Sequence, residues 1–247
     1  MENKKKHLNA AVIIGPTSVG KTKVASEILK TYDGELINSD KFYLFQKVRI
    51  GSGLSDTLGL ITSKKYLFEI LNPSDNILTT SQFTESAEQC VKEILNREKF
   101  PLIEGGSVKY NLALSNLNEI PNRTFYYKPI IGLRWSASCN PKKNIRSRVE
   151  KMFLDGLIEE TSNLIDEGLY SSFCLTNSVV YSPVVKYLKN ELEIEQTKEL
   201  IVNNIQDLAI RQLQRFEKLK DVTWIEHDEN SMEQTLNDIH FVIRQQK

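Results

Sequence analysis

The sequence predicts an α/β protein, a parallel sheet flanked by helices with a smaller helical lobe. Three features carry that prediction. Short apolar runs near 11–14, 35–38 and 100–103 end in a glycine or lead into an acid, as strands do where an open parallel sheet meets its ligands. Each of these runs leads into a segment with helical character. From about residue 142 amphipathic helices take over and continue almost to residue 222.

The first run, Ala11-Val12-Ile13-Ile14, reads as a buried strand. Gly15-Pro16-Thr17-Ser18-Val19-Gly20-Lys21-Thr22 then matches G-x-x-x-x-G-K-[ST] completely, and residues 23–30 turn helical with Val24, Ala25, Ile28 and Leu29 on one face. Strand, glycine-framed loop and helix are the context of a P-loop, so the sheet is expected to be P-loop NTPase-like. Loop N–H groups and the helix N-terminus would face a diphosphate, with Lys21 adding charge and Thr22 offering a hydroxyl to Mg²⁺.

Asp33-Gly34 is a turn signal, and 35–40 reads as a second strand ending at Asp40. There Asp40 fits two roles: an acid at the ligand edge of the sheet, or the cap of a helix over 41–47. A glycine loop follows at 50–54. Residues 66–71 should pack on the sheet, 72–75 turn, and 80–98 form a helix with Ala87, Val91, Ile94 and Leu95 inward. Phe100-Pro101-Leu102-Ile103-Glu104 is a further strand, closed by Gly105-Gly106-Ser107. Glu104 either positions Mg²⁺ or water, or caps the helix after Ser107. Residues 125–135 read as a strand interrupted by Pro129.

Helices are then expected over 144–156, 157–167, 183–189 and 194–218. Arg211 and Arg215 stand four apart on one face of the last, where a solvated surface is the ordinary role. A final strand at 222–225 and a helix over 232–245 return to the sheet. The resulting division is a core over 8–140, a mainly helical lobe over 141–220, and a returning segment over 221–247.

Composition narrows the function. The 247 residues hold 32 basic and 32 acidic side chains, so no global field draws the chain to nucleic acid or an anionic membrane. Cys90, Cys139 and Cys174 have no paired spacing, and His7, His227 and His240 are scattered. This argues against a disulfide framework or a zinc site. Residues 1–6 are basic, but the apolar run after them is too short for a signal-peptide core, and no run could span a bilayer. A cytoplasmic, monomeric protein with no membrane contact is expected.

Beyond these readings the chain resembles the isopentenyltransferases, which join a dimethylallyl group to the exocyclic amine of adenine. The resemblance rests on motifs in shared order: the loop over 15–22, Ile37-Asn38-Ser39-Asp40-Lys41, Ile50-Gly51-Ser52-Gly53, Leu102-Ile103-Glu104-Gly105-Gly106-Ser107, Arg148-Val149-Glu150-Lys151-Met152 with Gly156-Leu157-Ile158-Glu159-Glu160, and Ala209-Ile210-Arg211-Gln212-Leu213. It covers nearly the whole chain. It implies that the loop, from Gly15 through Pro16, Thr17, Ser18, Val19, Gly20 and Lys21 to Thr22, holds the diphosphate of dimethylallyl diphosphate together with Arg148. Asp40 would take a proton from the amine, and Thr17 would lie near the leaving oxygen. Ser39, Asp40, Ser52, Tyr181, Arg211 and Arg215 would meet the adenine nucleotide. Mg²⁺ would sit at Thr22, with Glu104 a further candidate ligand.

The family's tRNA-modifying members carry an inserted helical domain after the Gly-Gly segment, and this chain has only a short stretch there. With zero net charge, the expectation is a free adenine nucleotide acceptor, AMP first, with cytokinin-type biosynthesis as the setting and tRNA not a partner. The alternatives are a tRNA dimethylallyltransferase acting on an anticodon-loop adenosine and, from another class, a small-molecule P-loop kinase. The chain departs from the family pattern at Tyr43, where Gln is usual, and at Val180 and Ser182.

Overall fold

The computed structural model describes residues 9–227 and 232–245. The basic opening stretch, His7 and the domain edge at residue 8 lie outside them. Six strands form one sheet: β1 (Ala11–Ile14), β2 (Gly34–Asn38), β3 (Lys65–Tyr66), β4 (Phe100–Glu104), β5 (Ile130–Trp135) and β6 (Val222–His227). Their order is β3-β2-β4-β1-β5-β6 and every pair is parallel. A parallel sheet needs both faces covered, so its central strands are apolar throughout. Every residue of β1, β2 and β4 is buried.

Alternation along these strands sends side chains to two cores. Val12, Ile14, Ile37 and Ile103 meet α3 (Thr80–Asn96) and α4 (Val108–Leu117). Ala11, Ile13, Leu36 and Leu102 meet α1 (Lys21–Tyr32) and α10 (Met232–Arg244) on the other face. A third core, with Ile145, Val149, Leu164, Val184 and Ile201, joins α5 (Pro141–Leu154), α6 (Leu157–Asp166), α7 (Phe173–Thr176), α8 (Tyr181–Leu188) and α9 (Ile194–Phe216). Phe45 and Val48 enter that core from the segment after β2. The 23 residues of α9 span roughly 35 Å at 1.5 Å each. Ile201 and Ile205 sit in the lobe core while Phe216 reaches the sheet core. The helix therefore runs past the ligand edge of the sheet.

Two local expectations change. The helix expected over 41–47 is only a 3₁₀ turn, Phe42–Leu44. Leu71 N–H donates to Leu44 O and Gln46 N–H to Leu71 O, and this long-range pairing takes the groups a helix would have used. The glycine loop opens a short helix, α2 (Leu54–Leu60), whose seven residues carry too little periodicity to be read from sequence.

Candidate active site

The 15–22 loop leaves β1 at the carboxyl edge of the sheet. Gly20 takes φ +96°, and no side chain caps α1, so the first N–H groups of that helix stay open to an anion. A Cβ at Gly20 would also lie 2.7 Å from the His227 ring. Beside the loop is a cavity of about 230 Å³, lined among others by Thr17, Lys21, Thr22, Tyr43, Glu104 and Arg148. Lys21 is buried, and its Nζ donates to Pro16 O at 3.0 Å. Burial lowers its pKa, opposed by the Glu104 and Asp40 charges.

From α5, Arg148 closes the opposite wall. Nη1 donates to Thr17 Oγ1 (3.2 Å) and Ser18 Oγ (3.1 Å), and Nη2 to Ser52 O (3.2 Å). Gly53 takes φ +81°, and a Cβ there would stand 2.0 Å from Nη2, so the guanidinium needs a glycine at that place. Glu160 holds the preceding turn. Its carboxylate accepts the N–H groups of Arg49 (2.9 Å), Ile50 (2.9 Å) and Gly51 (3.1 Å), and the Tyr181 hydroxyl at 2.5 Å.

Asp40 follows β2, and Asn38 fixes it. Asp40 N–H donates to Asn38 Oδ1 (2.6 Å), while Asn38 Nδ2 donates to Asp40 O (2.9 Å) and Leu67 O (2.8 Å). The carboxylate oxygen Oδ1 accepts Phe42 N–H at 3.0 Å, so Asp40 does cap the 3₁₀ turn. Its Oδ2 lies 3.2 Å from where a Cβ on Gly106 would stand, and so faces the gap at that glycine. One residue thus serves as cap and leaves an oxygen for chemistry.

Asp40, Gly106 and Gln212 form a wall shared with a second cavity of about 200 Å³. Lys41, Lys109, Arg211 and Arg215 line its far side. Burial lowers the pKa of Lys41, and the neighbouring Lys109 ammonium adds to this while Asp40 opposes it. Gln212 spans the wall: its Oε1 accepts Thr17 N–H at 2.8 Å and its Nε2 donates to Gly106 O at 2.9 Å.

Glu104 stands at the end of β4, level with Ile13 of β1 and Asn38 of β2. It is 3% exposed, and its Oε2 has no hydrogen-bond partner. Burial is the main cause pushing its carboxyl up to about 7, with Lys21 pulling the other way and Asp40 adding to the rise. It does not cap the following helix; Ser107 does, accepting Tyr110 N–H. A buried oxygen beside the Thr22 hydroxyl is the donor set that Mg²⁺ takes, so the residues fit that ion.

The structure gathers Thr17, Ser18, Gly20, Lys21, Thr22, Asp40, Ser52, Glu104 and Arg148 around the first cavity. Arg211 and Arg215 line the second. Ser52, expected by the acceptor, lines the loop side instead. Gly15, Pro16 and Val19 shape the loop from behind and are buried. Ser39 is buried, with its hydroxyl donating to Asn111 Oδ1 at 3.1 Å. Tyr181 is fully buried behind Gly51, whose N–H it accepts at 3.1 Å, and it lines neither cavity. Gln212, Asn38 and Glu160 were not singled out from sequence. All three stand inside segments that carry the resemblance, and Asn38 is also a polar residue closing a buried strand.

Fold and site together define a phosphate-loop α/β architecture with two chambers meeting at one carboxylate. A family model described as IPP transferase matches residues 116–219. Among curated relatives, the tRNA dimethylallyltransferase of Acetivibrio thermocellus is 26% identical over 90% of this chain and 92% of its own length. That of Dictyoglomus turgidum is 25% identical over 91% and 89%. The crystal structure of tRNA delta(2)-isopentenylpyrophosphate transferase from Staphylococcus epidermidis shares the fold with a TM-score of 0.82, covering 97% of this chain and 100% of that one at 21% identity. The chain is thus similar to the IPP transferase family over residues 116–219 and to tRNA dimethylallyltransferases over about nine-tenths of its length.

These relatives overturn two expectations: a free adenine nucleotide as acceptor in cytokinin-type biosynthesis, and tRNA as a non-partner. The alignment to the first relative spans 290 positions, more than the whole chain, so that relative carries internal residues with no counterpart here. Their loss does not remove the resemblance to tRNA enzymes. Zero net charge also misled, because it averages the chain, whereas four cations gather around the second cavity. Among the described residues no helix is long and apolar enough to cross a membrane.

Proposed function

We propose that the protein transfers a dimethylallyl group from dimethylallyl diphosphate to the exocyclic amine of an adenosine in tRNA. The observation that carries this reading is the shared wall: Asp40 borders both a phosphate-loop cavity and a cavity lined by cations. The names of the homologues support tRNA as the acceptor. The loop N–H groups, Lys21 and Arg148 hold the diphosphate. The adenosine enters from the Arg211 side, where phosphate contacts to Lys41, Lys109, Arg211 and Arg215 supply affinity. Asp40 Oδ2 accepts the amine proton as the nitrogen attacks the allylic carbon. The carbon–oxygen bond breaks, and charge grows on the departing diphosphate. Donors already aimed at the loop stabilise that charge without reorganising. Mg²⁺ at Thr22 would neutralise part of it.

The experiment supplies dimethylallyl diphosphate and Mg²⁺ with an unmodified anticodon stem-loop, and in parallel with AMP. Mass spectrometry should find one added dimethylallyl group on the RNA. An unmodified RNA beside a modified AMP, or transfer of a γ-phosphate from ATP, would refute the proposal.

A further inference from the structure

Among the described residues Tyr43 is the one aromatic side chain lining the first cavity, and the transfer chemistry leaves it unused. We propose that Tyr43 seats the isoprenoid tail of the donor and limits that tail to a single isoprene unit. This rests on the reading of that cavity as the diphosphate site. The allylic carbon must lie between the loop, where the diphosphate departs, and Asp40 Oδ2, where the amine proton goes. Tyr43 belongs to the same 3₁₀ turn that Asp40 caps, and its phenol lies within electrostatic reach of Glu104, Arg148 and Asp40. The other residues of that cavity are polar, charged or glycine, except Leu60, which is exposed at the end of α2. An apolar tail laid on charged groups would strip their water without replacing it, so the tail gains most against the ring.

The ring is held where it stands. It stacks on Phe68 with centroids 6.0 Å apart, its hydroxyl accepts the Thr57 hydroxyl at 3.1 Å, and its carbonyl accepts Glu69 N–H at 2.9 Å. Burial pushes the phenol well up, the Glu104 and Asp40 charges add to the rise and Arg148 opposes it, so the hydroxyl stays neutral. With that hydroxyl spent on Thr57, the ring offers the cavity a fixed apolar wall. A donor with a second isoprene unit would have to displace an anchored side chain, and packed walls yield only at a cost. Tyr43 is also a place where the chain departs from the pattern it resembles, so this wall is the chain's own.

The test measures binding by calorimetry to the full chain with Mg²⁺ and no acceptor, using methyl, dimethylallyl and geranyl diphosphate. The wild-type protein should bind dimethylallyl diphosphate about tenfold or more tighter than either of the others. In Tyr43→Ala the preference over methyl diphosphate should fall to about threefold or less, and geranyl diphosphate should bind at least as tightly as dimethylallyl diphosphate. Affinity for methyl diphosphate should stay within about twofold, because the loop is untouched. Tyr43→Phe should keep the wild-type pattern, since the ring and not the hydroxyl forms the wall. Tyr43→Leu, an apolar seat of less bulk, should admit geranyl diphosphate too, and it keeps the proposal testable if the alanine variant fails to fold. Unchanged ratios in the alanine and leucine variants, or a loss shared equally by all three diphosphates, would overturn the proposal. A raised KM for the stem-loop in Tyr43→Ala with donor ratios unchanged would overturn it as well, by placing the ring beside the acceptor. No binding of methyl diphosphate by the wild-type protein would overturn the reading of the cavity along with it.

Discussion

Replacing Glu104 by Gln should make the metal-free protein more resistant to unfolding, and increasingly so as pH rises. In the unfolded chain the carboxyl ionises near its ordinary 4.5; in the folded protein it keeps its proton to about 7, chiefly because it is buried. Between those values the folded state binds more protons than the unfolded state. Each step upward in pH therefore favours unfolding, and the penalty is absent well below 4.5 and complete above 7. At about 1.4 kcal/mol per pH unit, the gap is worth about 3 kcal/mol. Glutamine has the same shape and no such proton. Urea denaturation in EDTA, from pH 4.5 to 8, should show the stability difference between variant and wild type growing by about that amount. A difference that stays flat across the range would refute the buried, weakly paired carboxylate.

Three further outcomes follow from the same geometry. Asp40→Asn keeps an acceptor for Phe42 N–H but not a base, so transfer should slow by about a hundredfold or more while pyrophosphate affinity stays within twofold; a variant retaining most of its rate would reduce Asp40 to a cap. Arg148→Lys cannot reach Thr17, Ser18 and Ser52 O together, and calorimetry should show pyrophosphate binding weakened by about tenfold, with unchanged affinity removing Arg148 from the site. Doubly substituting Arg211 and Arg215 by Ala should raise KM for the stem-loop, leave KM for the donor alone, and flatten the salt dependence of RNA binding; a change confined to the donor would place the RNA elsewhere.

What could be read in advance was local. The loop over 15–22 carries its own context, because an apolar run, two framing glycines and a helical repeat occupy adjacent positions. Asp40 stands at the ligand edge because it follows a strand; one of its oxygens caps the 3₁₀ turn and the other faces the gap at Gly106. The helix expected over 41–47 failed because Leu71, a distant residue, competes for its backbone groups. Gln212 could not be weighed beforehand for a related reason. It stands in a long helix where an amide is unremarkable, and its partners lie 195 and 106 positions away. Tyr181 was expected beside the acceptor, yet its phenol is spent on Glu160 and Gly51. The charge around the second cavity was equally hidden, since Lys41, Lys109 and the arginine pair come together only when α4 and α9 meet.

The Gln212 bridge also sets an order of assembly during synthesis. The phosphate loop emerges from the ribosome well ahead of α9, and the amide that holds Thr17 N–H follows 195 residues later. His227, which packs on Gly20, comes later still. At roughly 5–20 residues per second, the loop waits on the order of ten to forty seconds for the contact that gives it its final shape. A nascent chain cut short before α9 is complete can build strands β1, β2 and β4 but cannot finish either chamber.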